Sequence, residues 1–277
     1  MEHKTDILKQ VADLRNAGEA FVLATVVRTV AATAAKAGAK AIIRADGTIH
    51  SGWIGGGCAR GAVLRAARDA IEDGQSRLVS VQPEDMLAEL GVSAGSEREG
   101  VQFARNMCPS KGTMDIFIEP MLPSPAIVIL GSSPVAVALA DAAPHFGFHL
   151  TVCAPAEEQG VFANADTRIE GFMVDAQETR DKYIVVSTQG RGDEAALRAA
   201  LSVPSAHVTF VGSKAKAATI AAKLRDNGVE EHRLAALKAP AGLDIGAITP
   251  EEIALSILAE IVQLRRRSQR QSGGKPK

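Results

Sequence analysis

The sequence predicts an α/β protein of two parts: an N-terminal α+β domain with a Gly-Gly-Cys loop, then a C-terminal Rossmann-like doubly wound parallel sheet. The 277 residues suggest two domains of ordinary size more readily than one. Three prolines at 120–125 break a strand and resemble a short stiff linker. After them, continuous apolar strands alternate with helices. We expect domains at 1–122 and 123–265 and a flexible basic tail at 266–277.

In the first domain, apolar spacing and turn residues define each element. The helix at 5–17 has one apolar face and stops before Gly18, and Asp46-Gly47 marks a hairpin turn. The predicted elements, in order, are helix 5–17, strand 20–28, a small-residue loop, hairpin 41–50, the glycine loop, helix 59–73, strand 77–82, helix 84–90 and a strand beginning at 112.

In the second domain, the uninterrupted apolar runs indicate strands that are covered on both faces. The segment 126–155 reads as strand, Gly/Ser turn, helix and second strand, which is a βαβ unit. The further elements are strands at 183–190 and 207–213 and helices at 193–201, 214–227 and 249–267. In the last helix, Thr249 is the expected N-cap and Pro250 the first helical residue.

Composition excludes several classes of protein. Hydrophobic residues make up 46% and charged residues 23%, which is enough apolar material for a substantial core. A formal net charge of −1 argues against a nucleic-acid or membrane-surface protein, and no apolar run is long enough to span a membrane. Three widely spaced cysteines do not form a disulfide framework. We expect a cytoplasmic protein with no permanent metal.

The stretch SGWIGGGCAR brings a thiol to the start of a helix. Gly55, Gly56 and Gly57 precede Cys58, and helix N-terminal amides favour a thiolate. Such a thiol can serve as a nucleophile, a sulfur acceptor or a soft-metal ligand, although a buried inert thiol is the commoner outcome. Cys108 lies in a second loop with proline and glycine. Cys58 and Cys108 are therefore candidates for sulfur or metal handling.

The turn after the first strand of the βαβ unit is the candidate phosphate site. A nucleotide-binding turn needs glycines, a helix N-terminus and, at the end of the second strand, an acid for the ribose. Gly131 fits the first glycine, and Ser132 and Ser133 follow it. Cys153 stands where the acid is expected, and Glu157 and Glu158 come slightly late. The missing acid argues against a nicotinamide-dependent dehydrogenase, and a Rossmann scaffold without a dinucleotide remains an alternative.

Two later loops are further candidates. Gly212, Ser213 and Lys214 follow a buried strand, and ligands of parallel sheets bind at the carboxyl ends of strands. The segment APAGLDIG holds Gly242 and Asp244 in a loop that no obvious turn requires. The first loop could contact a phosphate, although lysines that open a helix are commonly only solvated, and the second loop suggests a wall of a binding site.

Several motifs resemble one known family. The order LATVVRT, AGAK, DGTIHSGWIGGGC, DIFIEP, VILGSSPVA, FVGSKAK and AGLDIGAITPEEIALSILAEI resembles the XdhC/CoxI family over nearly the whole chain. These proteins are accessory factors of molybdenum hydroxylases such as xanthine dehydrogenase and aerobic carbon monoxide dehydrogenase. The segment CPSKGTMDIFIEP is similar to the CoxF branch, which accompanies carbon monoxide dehydrogenase.

The resemblance implies a chaperone rather than a turnover enzyme. It would bind molybdenum cofactor transiently, in the molybdopterin cytosine dinucleotide form, and assist its sulfuration or the assembly of a molybdenum–copper centre. It would then insert the cofactor into an apo molybdenum hydroxylase. A cysteine desulfurase or other assembly factors are the implied partners, and a homodimer is expected because symmetric dimers are common.

A combined hypothesis assigns the two ends of this ligand to the two domains. Its phosphates would lie near the turn at 131–133 and near 212–214, and its sulfur–metal end near Cys58 or Cys108. Two alternatives remain. One is a nucleotide-dependent oxidoreductase, and the other is a scaffold that docks the apo-enzyme without holding a ligand.

Overall fold

The structure is a computed structural model that describes residues 6–109, 111–176 and 181–273, without the side chains of Cys58 and of residues 269–273. The chain divides into two compact units. The first runs to Pro123 and the second from Ser124 to Ser268. Among the helices of the described ranges, none is long and apolar enough to cross a membrane.

The first unit is a mixed sheet with helices on both faces. Its elements are α1 (Ile7–Asn16), β1 (Phe21–Val30), β2 (Lys40–Arg44), β3 (Ile49–Gly52), α2 (Gly57–Asp73), β4 (Arg77–Gln82), α3 (Glu84–Glu89), β5 (Glu97–Arg98), β6 (Val101–Arg105) and β7 (Thr113–Met121). The seven strands lie in the order β3-β2-β1-β7-β4-β6-β5. Neighbours are antiparallel except β4 and β6, which are parallel.

The alternation of β1 explains why the sheet is covered on both faces. Val22, Ala24 and Val26 pack with α2, whereas Phe21 and Leu23 pack in a separate cluster with α1. The sheet-facing side of α2 is formed by small residues, namely Ala59, Ala62, Ala66, Ala67 and Ala70. These alanines let the helix approach the strands closely, so the start of α2 is held firmly against the sheet.

Three features of this unit differ from the sequence prediction. Helix α2 begins at Gly57 rather than at residue 59, so Gly57 and Cys58 belong to the helix and not to a loop. Residue 57 is the first helical position, where glycine costs little because few intrahelical bonds depend on it. The strands β5 and β6 were not predicted. Pro120 lies inside β7, paired with Val22, where β4 no longer pairs with β7 and the missing donor is tolerated.

The second unit confirms the predicted Rossmann-like fold. Its elements are β8 (Ala126–Leu130), α4 (Pro134–Ala142), β9 (His149–Ala154), β10 (Thr167–Glu170), β11 (Lys182–Val186), α5 (Asp193–Leu201), β12 (His207–Phe210), α6 (Lys214–Asp226), α7 (Glu231–Ala235), β13 (Leu237–Lys238) and α8 (Pro250–Gly273). All six strands are parallel and lie in the order β10-β9-β8-β11-β12-β13. This is the third, second, first, fourth, fifth and sixth strand of the unit, the order of dinucleotide-binding folds.

Helices cover both faces of this sheet. Ile127, Ile129 and Val152 pack with α4 and α8, whereas Val128 and Val186 pack with α5 and α6. The central strand β8 is therefore buried on both sides, which is why it reads as a continuous apolar run.

The end of the chain corrects the predicted tail. Helix α8 continues to Gly273, beyond residue 267, where the sequence predicted its end. The residues after 264 are mostly arginine, glutamine and serine, with neither proline nor glycine before Gly273, and arginine and glutamine are good helix formers. The part of the predicted tail at 274–277 lies outside the described residues.

Candidate functional site

The start of α2 is open to a cavity. Its N-cap is Gly56, which has no side chain with which to cap the first-turn amides. A Cβ atom added at Gly56 or Gly57 would meet nothing within 4 Å. Gly55 differs, because its φ of +117° and the Met114 Cε atom at 3.0 Å from such a Cβ both favour glycine. Packing therefore explains Gly55 but leaves free space at Gly56 and Gly57.

That space is a cavity of about 230 Å³ in the first unit. It lies between the loop after β1, the start of α2 and the loop that carries Cys108. Its lining residues are Ala32, Thr33, Ala34, Gly56, Gly57, Ala59, Val81, Asn106, Met107, Cys108, Gly112 and Met114. The structure thus brings Cys108, which is exposed, to the same cavity as two of the predicted glycines. Cys58 follows these glycines in the first turn of α2. The structure describes its backbone but not its side chain.

The Cys108 loop is held in place by Asn106, which the sequence analysis did not single out. Its Nδ2 atom donates a hydrogen bond to the Gly112 carbonyl at 2.6 Å, and its Oδ1 atom accepts one from the Cys108 amide at 2.9 Å. A Cβ at Gly112 would lie 2.2 Å from the Ala32 carbonyl oxygen, so this position requires glycine. Ser110 lies outside the described residues. An asparagine in a segment that also holds Pro109 and Gly112 is a signal that could have indicated this turn.

The Gly131 turn of the second unit has a structural explanation. Gly131 has a φ of +106°, and a Cβ there would lie 2.5 Å from the Ser187 carbonyl oxygen. Ser133 is the N-cap of α4: its Oγ atom accepts a hydrogen bond from the Ala136 amide and lies 2.6 Å from Ser187 Oγ. The turn is therefore built by close packing of β8 against the end of β11, whatever ligand it holds.

An acid does reach this turn, although it does not end the second strand. Glu158 lies in a short helical turn, Ala156–Val161, after β9, and it accepts a hydrogen bond from Ser132 Oγ. Its other carboxylate oxygen lies 3.1 Å from Arg191 Nη1. Glu158 comes slightly later in the sequence than the usual pattern places the acid, and the fold nevertheless brings its carboxylate to the turn.

A buried carboxylate organises the next part of the same edge. Asp193 begins α5 and accepts hydrogen bonds from Thr188 and from the Gly190 amide, and its Oδ2 atom lies 2.6 Å from Lys216 Nζ. Burial raises its pKa, but the bonds from Lys216 and Thr188 outweigh this and hold the pKa below its ordinary value. Lys216, and not Lys214, is the lysine committed to this ion pair.

A larger cavity, of about 700 Å³, joins the two loops that the sequence singled out in this unit. Gly212, Ser213 and Lys214 form one wall, after β12. Gly242 and Asp244 belong to the opposite wall, which is formed by residues 238–247 after β13. Ile253 and Ser256 of α8 complete the lining. The volume is in the range of small-molecule sites, and the cavity lies at the carboxyl ends of parallel strands, where such sites occur.

The wall that contains Gly242 is fixed by Glu260, which the sequence analysis did not identify. Glu260 is a buried residue of α8; its Oε2 atom accepts a hydrogen bond from the Gly242 amide at 3.1 Å, and its Oε1 atom contacts Lys238 Nζ. Lys238 also donates to the Gly242 carbonyl at 2.7 Å, and His207 Nε2 lies 3.6 Å from Glu260. A carboxylate on the apolar face of a helix is the signal that could have revealed it.

The start of α8 has the cap that the sequence predicts. Thr249 Oγ1 accepts a hydrogen bond from the Glu252 amide at 3.3 Å, and Glu252 accepts one from the Thr249 amide at 3.0 Å. This reciprocal pair is a capping box. Thr249 and Glu252 therefore serve the helix, whereas Asp244 is exposed on the cavity wall.

Two sequence-family models match the chain. The model of the XdhC and CoxI family matches residues 14–82, and that of the XdhC Rossmann domain matches residues 127–261. The chain belongs to the XdhC and CoxI family. The second match contains the Gly131 turn, Glu158 and every residue of the larger cavity, and the first contains the start of α2.

Relatives of this family member were found among curated proteins and solved structures. It is 30% identical over 268 residues to the uncharacterized protein YqeB of Escherichia coli K12, and 28% identical over 163 residues to a Bacillus subtilis 168 protein described as a probable xanthine dehydrogenase subunit. These matches cover 94% and 56% of this chain but only 46% and 47% of the relatives, so the chain spans about half their length. A crystal structure of a xanthine dehydrogenase from Bacillus halodurans aligns over 94% of this chain and 96% of its own, with 20% identity and a TM-score of 0.44.

Proposed function

We propose that this chain is a maturation factor for a molybdenum hydroxylase. It binds molybdenum cofactor, in the cytosine dinucleotide form, assists its sulfuration or the assembly of a molybdenum–copper centre, and hands it to the apo-enzyme. Membership of the XdhC and CoxI family supports this proposal, as does the likeness to a protein named as part of a xanthine dehydrogenase. A cysteine desulfurase and the apo-enzyme, such as aerobic carbon monoxide dehydrogenase, are the proposed partners.

The observation that carries the proposal is the larger cavity. Five candidate residues from two separate loops line it together: Gly212, Ser213, Lys214, Gly242 and Asp244. Lys214 supplies a cation for a phosphate, whereas Gly212 and Gly242 are required by packing, because a Cβ there would overlap Phe210 and Ser256. Lys214, at the carboxyl end of a parallel strand, fits the nucleotide diphosphate part of the cofactor.

The cavity of the first unit fits the sulfur–metal part of the cofactor. Its open glycines, Gly56 and Gly57, leave room at a helix start whose N-cap has no side chain, and Cys108 and Met107 provide sulfur atoms. Sulfur ligands suit soft metals and sulfur transfer, and helix N-terminal amides suit an anion. When bound, the cofactor would supply a dithiolene-held molybdenum; the chain would contribute binding, orientation and a thiol.

Binding is tested by gel filtration of the purified chain with molybdopterin cytosine dinucleotide, followed by molybdenum and pterin analysis of the protein peak. We expect co-elution, and we expect Lys214→Gln to weaken binding about tenfold, because it removes a cation that lines the cavity. Lys223→Gln, an exposed lysine of α6 outside the cavity, is the matched control. If no cofactor elutes with the protein, the proposal fails, and co-purification of apo-enzyme alone would favour a docking scaffold.

The thiol role has a separate test. Cys58→Ser and Cys108→Ser are each combined with apo-hydroxylase, and recovery of hydroxylase activity is measured. We expect cofactor binding to persist and activation to fall in the variant that removes the sulfur-handling thiol. Full activation by both variants would exclude thiol chemistry even if binding survives.

A nucleotide-dependent oxidoreductase is the second candidate, and Glu158 favours it. The carboxylate beside the Gly131 turn restores the acid whose absence argued against a nicotinamide dinucleotide. Titration with NADH and NADPH, with absorbance at 340 nm as the readout of turnover, separates the two: a maturation factor gives no oxidation with any carbonyl acceptor.

A further inference from the structure

An ion pair crosses the point where the strand order of the second unit reverses. The strands β9 and β11 flank β8 on its two sides. Glu158 follows β9, Arg191 follows β11, and Ser132 belongs to the turn after β8. The carboxylate of Glu158 therefore joins all three loops, through Ser132 Oγ on one oxygen and Arg191 Nη1, at 3.1 Å, on the other. Ligands of open parallel sheets bind in the crevice at this switch point.

Both partners of Glu158 are groups that a ligand can replace. Ser132 contributes a hydroxyl, which is the same donor that a ribose carries twice. Arg191 has a side chain that is 66% exposed, and its guanidinium can leave the carboxylate for a phosphate. The Glu158 side chain is 25% exposed, so a ligand reaches it without unfolding the loop.

We propose that Glu158 and Arg191 form a subsite for the ribose and diphosphate of the bound nucleotide. This inference rests on the proposed function. Glu158 accepts hydrogen bonds from the ribose hydroxyls, and Arg191 pairs with the diphosphate. The ligand of this unit is then a ribonucleotide with both hydroxyls free, because a carboxylate accepts hydroxyl donors and repels a phosphate attached in their place.

The charges on this edge agree with that division of roles. Among the described residues, two cations contact Glu158 or Asp193. Lys216 is paired with Asp193. Arg191 is the more exposed of the two and lies beside the Gly131 turn. Ser133 already caps the Ala136 amide, and Pro134 has no amide hydrogen, so the first turn of α4 offers few donors to a phosphate. Arg191 is therefore a cation that can hold the anion at this turn.

The test uses isothermal titration of the full chain with cytidine diphosphate and with 2′,3′-dideoxycytidine diphosphate, which carry the same charge. We expect the wild type to bind the ribonucleotide about tenfold more tightly, and Glu158→Gln to bring this ratio close to one. Arg191→Gln should weaken both nucleotides about tenfold and leave their ratio unchanged. Glu157→Gln, the exposed neighbour of the same type, should behave as the wild type.

Each outcome separates this inference from the proposed function. If the wild type binds both nucleotides equally, the ribose subsite is wrong and the nucleotide site stands. If Glu158→Gln keeps the wild-type ratio, another group reads the ribose; if Arg191→Gln binds as tightly as the wild type, the diphosphate role is wrong. If the wild type binds neither nucleotide, both the nucleotide site and this subsite fail. The ratio of the two wild-type affinities can disprove the ribose subsite by itself, so the test remains decisive even if a variant does not fold.

Discussion

The buried carboxylate of Glu260 accepts a hydrogen bond from the backbone amide of Gly242 at 3.1 Å, and so ties helix α8 to the wall of the larger cavity. The same carboxylate contacts Lys238, which also donates to the Gly242 carbonyl. One side chain thereby fixes both polar groups of a glycine that lines the cavity, one directly and one through the lysine.

Replacing Glu260 should loosen this wall. Glu260→Gln removes the charge that Lys238 and the Gly242 amide share, and we expect the free energy of unfolding to fall by about 2 kcal/mol. Denaturant unfolding measures the change, with Glu251→Gln on the exposed side of α8 as the control, expected to stay within about 0.5 kcal/mol. Equal effects of the two substitutions would show that the contact contributes little.

Gly242 should resist any side chain. Its φ is +87°, and a Cβ would lie 2.2 Å from Ser256 Oγ and 2.9 Å from the Ile257 amide nitrogen. We expect Gly242→Ala to cost about 2 kcal/mol or more, from strain and overlap together. Gly246→Ala has a φ of +73° but meets nothing within 4 Å, so it should cost only about 1 kcal/mol. Adding Ser256→Ala to Gly242→Ala should recover part of the loss; no recovery would exclude the overlap with the serine.

Much of the fold follows from local pattern, and the exceptions have physical causes. The central strands β8 and β11 are covered on both faces, so they appear as apolar runs that the sequence reveals directly. The edge strands β10 and β13 are short, and β10 alternates between exposed and half-buried residues. Such strands carry no apolar run and are defined by their neighbours in the sheet.

The site divides in the same way. Residues 212–214 and Gly242 follow parallel strands or stand in a glycine loop, and the rule for strand ends places them at one edge. The sequence could mark Glu158 and Glu260 as polar residues but could not assign their roles, because these depend on tertiary partners, Ser132 and Gly242. A single sequence specifies which residue is polar but not which group satisfies it.

Substitutions at the start of α2 should affect protein stability and cofactor binding differently. Gly57→Ala places a methyl group where nothing lies within 4 Å, so we expect unfolding free energy to stay constant or rise by up to about 1 kcal/mol. The same methyl group enters the cavity and should weaken binding of molybdenum cofactor about tenfold. Gly55→Ala, with its φ of +117°, should instead destabilise the protein by about 1–2 kcal/mol. Wild-type binding by Gly57→Ala would mean that the cavity holds no part of the cofactor.

Two cysteines should differ sharply in reactivity. Cys153 ends β9 in the core, and burial raises the pKa of its thiol to about 12. Cys108 is exposed at its cavity. Because the thiolate is the reactive form, iodoacetamide at pH 8 should modify Cys108 and leave Cys153 unmodified until guanidinium is added. Peptide mass spectrometry reads each site, with Cys108→Ser as the control. Modification of both at similar rates in the folded protein would contradict the buried position of Cys153.

His207 should make stability depend on mild acid. Burial lowers its pKa below the ordinary value of 6.5, and Lys238 adds to this, while Glu260 opposes it without reversing the shift. Above 6.5 both folded and unfolded chains hold the neutral imidazole, so its contribution to stability is complete. As the pH falls toward the lowered folded pKa, the unfolded chain binds the proton first and stability is lost, by at most about 1.4 kcal/mol per pH unit for one proton.

Denaturant unfolding at pH 7.5 and pH 5.5 tests this on the wild type and on His207→Gln. We expect the variant to lose less stability over that interval, because glutamine does not titrate there. Asp193 does not confuse the comparison, since its pKa lies below 3.8 and its effect falls at lower pH. If the wild type and the variant lose the same free energy of unfolding, His207 is protonated to the same extent in the folded and unfolded chains over this pH range.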